Sequence, residues 1–345
     1  MKRMALILVW AVWVGCSPTA VSTPNATPAS RQTAVIAPPT PTSAPQPPSA
    51  YVLFSINVQD FSYPAESAAV LDKLITLHEE TNMPVDIYLT DTMAQIYANQ
   101  YPNLLMRLKS SPIAAISYHT RPPRPYASQN DWLGLKEMPL DQLNETILRY
   151  ETHAVDPITG QTTDVPGGYQ QVAALIGYSP YAASALSGNP DISAAALQVF
   201  SDLGAQMTVS HGKSLTLGEM KGNLPVRPEQ VDYKLFEHVG EDAGPAFEAA
   251  LAQALAAQPG DTPAFVGVKM HDNDFFATQS AWVTVYVQGG KRPDWDISLQ
   301  APPLSQVEQE AQWALYEQTV RYAASQRERV TPVNLPLVLE MLRGK

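Results

Sequence analysis

Cysteine is all but missing from this 345-residue chain: Cys16 is the single one, so no disulfide can form within it and burial alone must stabilise any folded part. Basic charge is scarce too. With 22 lysines and arginines against 33 aspartates and glutamates, a net charge of −11 and no basic stripe, nothing is present to displace counterions from phosphates, which excludes nucleic acid as a partner. No internal repeat is visible, so stacked-repeat architectures are excluded. Long apolar runs are also lacking, and the run at residues 4–14 is too short to cross a bilayer as a mature helix.

That run nevertheless has a meaning. Lys2 and Arg3 precede it and Gly15 closes it, the layout of a secretory signal. Residues 13–16 (Trp-Val-Gly-Cys) resemble a lipobox, with Trp13 where leucine is usual, and the one thiol of an exported chain stands at the point of cleavage. The sequence therefore predicts a lipoprotein signal peptide over residues 1–15 and lipidation of Cys16; an ordinary secretory signal or an uncleaved anchor are the alternative readings. Residues 17–50 are nearly all Ser, Pro, Thr, Ala and Gln, so 16–50 reads as a disordered tether. The expected location is extracytoplasmic, on the cell membrane or outer surface, with the membrane engaged through the lipid.

Residues 51–345 carry the fold, most simply as one large domain. Strand signals at 51–58, 85–89 and 113–117 alternate with helical spacing at 66–81 and 101–108. Later strands are expected at 206–210, 264–270 and 330–333, and helices at 140–150, 171–176, 192–203, 246–257, 307–325 and 335–342. Alternation of this kind argues for an α/β fold with a parallel sheet covered by helices. Prolines and turn residues over 121–166 read as an insertion.

Polar groups able to bind a metal or move a proton end separate strands: Asp60, His119 and His271. In parallel sheets the carboxyl ends of the strands lie on one face, so these residues would meet there. Singly, each is equally a strand-end polar group bonded to nearby backbone. The segment His271-Asp272-Asn273-Asp274-Phe275-Phe276 reads as an imidazole acid tuned by carboxylates, as a substrate clamp, or as a polar turn over core aromatics. Tyr118, Arg121, Arg124 and Tyr126 flank His119 on a proline-stiffened loop suited to sugar stacking and hydroxyl or anion contact, or to a rigid surface turn. Gly167-Gly168 before a helix offers backbone donors to an anion or makes a tight turn.

The ordered segments Phe54-Ser55-Ile56-Asn57-Val58-Gln59-Asp60, residues 84–89, 116–120 with His-Thr, and 268–272 with His-Asp resemble the motifs of the NodB-homology polysaccharide deacetylases. That resemblance covers most of 51–345 outside the insertion. It implies a NodB-like distorted (β/α) barrel preceded by a signal peptide and disordered linker, acting as a metal-dependent hydrolase of N- or O-acetyl groups on a carbohydrate or cell-envelope polysaccharide. It also implies a divalent metal, zinc by type, on Asp60 and His119, with His271 as the acid; the residues themselves add Asp274 as a carboxylate tuning that acid and Tyr118 and Arg121 as substrate contacts. Two positions depart from the pattern: Gln59 stands at the base position and cannot accept a proton, and Pro123 replaces the second ligand histidine. His153, His211, Glu151, Asp272 or Asp274 would have to complete a metal site. The competing reading is a carbohydrate-binding or scaffold lipoprotein that kept the barrel and lost catalysis.

Overall fold

The computed structural model describes residues 50–127, 130–184, 186–212 and 214–344. Cys16, the signal segment 1–15 and residues 16–49 of the tether lie outside the described residues. The chain runs β1 (Ala50–Val58), α1 (Pro64–Thr81), β2 (Val85–Leu89), α2 (Asp91–Gln100), α3 (Pro102–Ser110), β3 (Ala114–His119), α4 (Leu140–Thr152), β4 (His153–Val155), β5 (Thr162–Pro166), α5 (Gly168–Ile176) and β6 (Ala182–Ser184). It continues through α6 (Pro190–Asp202), β7 (Met207–His211), β8 (Met220–Lys221), β9 (Leu224–Glu229), β10 (Val231–Lys234), α7 (Ala243–Ala257), β11 (Ala264–His271), α8 (Gln306–Ser325), β12 (Val330–Pro332) and α9 (Leu335–Arg343).

The main sheet has the order β10-β11-β1-β2-β3-β6-β7-β9-β8, all parallel except the β8–β9 pair, and β4–β5 form a separate hairpin. It is a curled parallel sheet wrapped by helices, a distorted (β/α) barrel. β9 bonds to β7 and β10 to β11, and Gln230 alone separates them, so one kinked strand serves both edges of the curl. Gln230 joins the kink to β11 twice: its N–H donates to the Phe265 carbonyl at 3.1 Å, and its Oε1 accepts the Phe265 N–H at 2.7 Å.

β1 is buried on both faces, as a central parallel strand must be. Its outward Phe54, Ile56 and Val58 pack under the helices, while Leu53 on the inward row lies with Tyr88 and Phe265. Ser55 and Asn57 carry the inward row up to the carboxyl end, where it turns polar. β12 takes the first residues of β1 (Ala50–Val52) and β2 the last (Phe54–Val58), which leaves room for α9 to close the floor with Leu335, Val338 and Leu339. Between them, the Leu335 N–H donates to Asp86 Oδ1 of β2 at 3.0 Å.

The expected strands and helices appear near their predicted bounds. The sequence pattern does not reveal α2, β6 or the kinked pair β9–β10. α2 is capped by the Thr90 hydroxyl, which accepts the Met93 N–H at 3.2 Å, but it buries only Asp91, Met93, Ala94 and Tyr97 and so has little apolar periodicity. β9 carries Pro225 and Pro228, residues that argue against a strand inside a sheet.

Candidate active site

A cavity of about 460 Å³ opens at the carboxyl ends of the strands, lined among others by Asn57, His119, His211, Glu229, Lys269 and His271. The strand-end rule thus brings His119 and His271 together. His119 ends β3 and is 3 % exposed. Its Nδ1 lies 2.7 Å from the Ser184 hydroxyl of β6, and its Nε2 has no protein partner among the described residues. Burial, then the charges of Arg121, His271 and Lys269, hold its pKa well below the ordinary histidine value, so the ring is neutral. His271 ends β11, and its Nδ1 lies 3.0 Å from Asp274 Oδ2, which also accepts the His271 backbone N–H at 2.7 Å. Asp274 thereby fixes the ring that the cavity receives.

Asp60 is placed differently. Its Oδ1 accepts the Ser62 N–H at 3.0 Å, the Ser62 hydroxyl at 2.7 Å and the Tyr63 N–H at 3.3 Å, and its Oδ2 accepts the Ala281 N–H at 3.0 Å. Burial raises its pKa against those bonds. It caps the turn after β1 and is not part of the wall that carries His119. Behind it, Asp272 accepts the N–H groups of Gln59 and Asp60 and the Ser67 hydroxyl, and is pushed up to about 7 by burial and by Asp60.

Gln59, at the base position, is tied on both ends: its Oε1 accepts from Arg121 Nε at 2.6 Å and its Nε2 donates to Asn273 Oδ1 at 3.1 Å. Arg121 lines the histidine cavity and also a neighbouring one of about 300 Å³, where its guanidinium sits 4.7 Å from the Trp282 ring centre. The structure does not support the expected sugar-stacking role of Tyr118. It is fully buried, packs on Tyr169 and Phe200, and donates its hydroxyl to Glu151 at 3.2 Å. Neighbours on a strand point to opposite faces, so a His119 that faces the barrel interior sends Tyr118 outward. Gly168 does present its N–H to an anion, but the anion is the protein's own Asp91, at 3.1 Å. At φ +61°, with Glu151 backbone 2.5 Å from where a Cβ would sit, position 168 requires glycine.

Of the opposite wall, sequence reasoning names only His211, as one candidate to complete a metal site. There His211 Nδ1 lies 2.6 Å from Glu229 Oε2, and Glu229, 1 % exposed, is bonded through Oε1 to Arg227. Asp232 pairs with Lys269 at 2.6 Å. His211 is visible in the sequence as a strand-end residue, whereas Glu229 is hidden behind the prolines of β9.

These donors bear on a metal. Among the described residues, His211, Glu229 and Asp232 are the one group of three whose ligand atoms lie within 4.8 Å of one another. By reach they could contact one ion, yet Arg227 and Lys269 already neutralise the two carboxylates, and a divalent ion would have to displace both. The pair implied by the resemblance fits less well: His119 offers a free Nε2, but Asp60 lies off the His119 wall, with three donors on its Oδ1 and the Ala281 N–H on its Oδ2. The residues present do not form a fitted zinc site.

No family model and no curated protein sequence matches the chain. Among solved structures it is similar to a presumed polysaccharide deacetylase from Mycobacterium smegmatis, with 13 % identity over 89 % of this chain and 95 % of that one and a TM-score of 0.48. It is also similar to the peptidoglycan deacetylase PdaC from Bacillus subtilis, with 10 % identity over 87 % and 94 % of the two chains and a TM-score of 0.38. A 4-alpha-glucanotransferase from Thermococcus litoralis gives 13 % identity and a TM-score of 0.48, and this chain spans 40 % of that protein's length.

Proposed function

We propose that the chain is a lipid-anchored, extracytoplasmic hydrolase that removes acetyl groups from a carbohydrate, a divergent relative of the NodB-homology deacetylases. The observation that carries this reading is the convergence of His119 and His271 on one cavity at the strand ends, with His271 held by Asp274. Acyl hydrolysis needs a proton for the departing nitrogen or oxygen, and His271 supplies it. Arg121, which lines this cavity and the neighbouring one, takes a hydroxyl of the sugar next to the scissile bond. Asp60, turned to the N–H groups of Ser62, Tyr63 and Ala281, leaves His119 without the aspartate that a zinc site would share with it.

Acetate release from chitopentaose and from acetylated xylan tests the reading. Wild type is expected to release acetate from at least one of them, and His271→Gln to lower kcat by about 100-fold or more with little change in KM. The competing reading, a carbohydrate-binding scaffold, is favoured by Gln59, which cannot accept a proton and is locked between Arg121 and Asn273. Saccharide binding by calorimetry with no acetate release would decide for the scaffold.

The anchor is tested separately. Cys16→Ser is expected to move the protein from the membrane fraction to the soluble fraction. A mutant that stays with the membrane, together with a wild type that carries no lipid by mass spectrometry, would overturn it.

A further inference from the structure

We infer that the His211–Glu229 pair is the general base of this reaction, taking the role that Gln59 cannot fill; the inference rests on the hydrolase reading above. A base must sit on the cavity that holds the acid and must keep one ring nitrogen free to take a proton from water. His211 ends β7 and lines the cavity that His271 lines from β11, so the two rings stand on different walls of one space. Its Nδ1 lies 2.6 Å from Glu229 Oε2, close enough for the carboxylate to favour the proton on Nδ1 and leave the lone pair on Nε2. The ring is about half exposed, while its carboxylate partner is 1 % exposed.

The environment of Glu229 is built to keep it ionised and in place. Burial alone would raise its pKa, but the Arg227 guanidinium outweighs burial and, with His211 and Lys269, holds it far below the ordinary carboxylate range. On the adjacent strand, Gly267 of β11 leaves the space that the carboxyl group fills: a Cβ there would lie 2.3 Å from Glu229 Cδ. A strand-end ion pair on a surface needs no such clearance. A buried carboxylate clamped by an arginine, set behind an imidazole at a cavity wall, is the arrangement by which an imidazole is oriented and its protonated form stabilised.

In the hydrolytic step His211 Nε2 takes a proton from water as the water oxygen bonds to the acyl carbon, and the carbonyl π pair moves to oxygen. The tetrahedral adduct collapses, its C–N or C–O bond breaks, and protonated His271 delivers its proton to the leaving atom. Acetic acid, which gives its proton to solvent as acetate, and the free amine or hydroxyl leave, and one proton passes from His211 to His271 through cavity water to reset the pair.

The test measures acetate release from the same substrates by the full mature chain. His211→Ala is expected to lower kcat by about 100-fold with KM within about threefold, and added imidazole to restore part of kcat. Gly267→Ala, which leaves both members of the pair intact and displaces the carboxylate, is expected to lower kcat by about tenfold or more with KM held. A wild type that releases acetate while His211→Ala stays within about threefold of it removes the base and leaves the hydrolase reading standing. Loss without imidazole rescue makes His211 a structural residue and also overturns the inference. A wild type that releases no acetate from either substrate overturns both readings together.

Discussion

Arg124→Met is expected to lower the free energy of unfolding by about 3–5 kcal/mol, read from urea denaturation, because it strips the one cation from a dry cluster of two carboxylates. Arg124 is 3 % exposed; its two terminal nitrogens bond Asp91 at 3.0 and 2.6 Å, and its Nε lies 3.2 Å from Glu151 Oε1. Around Glu151 stand the hydroxyls of Tyr118 and Tyr126 and the Tyr169 N–H, so the cluster ties the turn after β3 to α2, α4 and the start of α5. Burial works to raise Asp91, and Arg124 outweighs it and holds the pKa below its ordinary value. Glu151 is pushed up to about 7 by burial despite the same guanidinium, so it can shed part of the cost by taking up a proton. Asp91 cannot do so as easily, since it also receives the Gly168 N–H. Arg124→Lys keeps the charge without the two-pronged geometry and should recover about half of the loss. A loss below about 1 kcal/mol for Arg124→Met would show that the cluster is hydrated and contributes little.

This cluster also marks how far the sequence can be read. Arg124, Tyr126 and Gly168 each stand out as unusual residues, and each reads locally as a ligand contact or a turn. Their true partners, Asp91 and Glu151, come from helices distant in the chain. The strands that end in His119 and His271 are legible because buried parallel strands are continuous apolar runs, and their convergence follows from the topology. Asp60 is legible as a strand-end residue, but its direction is set by a turn bonded to Ser62 and by the Ala281 N–H, 221 positions away, and no local pattern encodes the second. The alternation of side chains alone is enough to exclude Tyr118. Glu229 has no such signal, because Pro225 and Pro228 mask the strand that carries it and Gly267, which makes room for it, lies on another strand.

Below the cavity, Asp86 gives the barrel a pH dependence with a defined sign. Asp86 is fully buried on β2; its Oδ1 accepts the Leu335 N–H at 3.0 Å, and its Oδ2 has no partner among the described residues. Burial raises its pKa, against the pull of Arg227, to about 7 from the ordinary 3.8. Between those two values the unfolded chain has lost the proton and the native chain keeps it, so stability falls as pH rises through that window and levels off above pH about 7. Each tenfold change in proton affinity is worth about 1.4 kcal/mol, so the rise from 3.8 to about 7 sets an upper bound of roughly 4 kcal/mol on the cost at alkaline pH. Asp86→Asn keeps an oxygen for the Leu335 N–H and removes the charge, while its amide N–H groups add a desolvation cost of about 1–3 kcal/mol at every pH. Relative to wild type the variant should therefore be equal or weaker at pH about 5 and gain steadily toward pH about 8. With about 2–4 °C of Tm per kcal/mol for a domain of this size, the difference in Tm between variant and wild type should rise by about 4 °C or more across that range. The other titrating groups are common to both proteins and cancel in the difference. If the difference stays flat, Asp86 is ionised in the folded barrel, held by Arg227 as a charged pair, and the floor beneath the cavity carries a full negative charge.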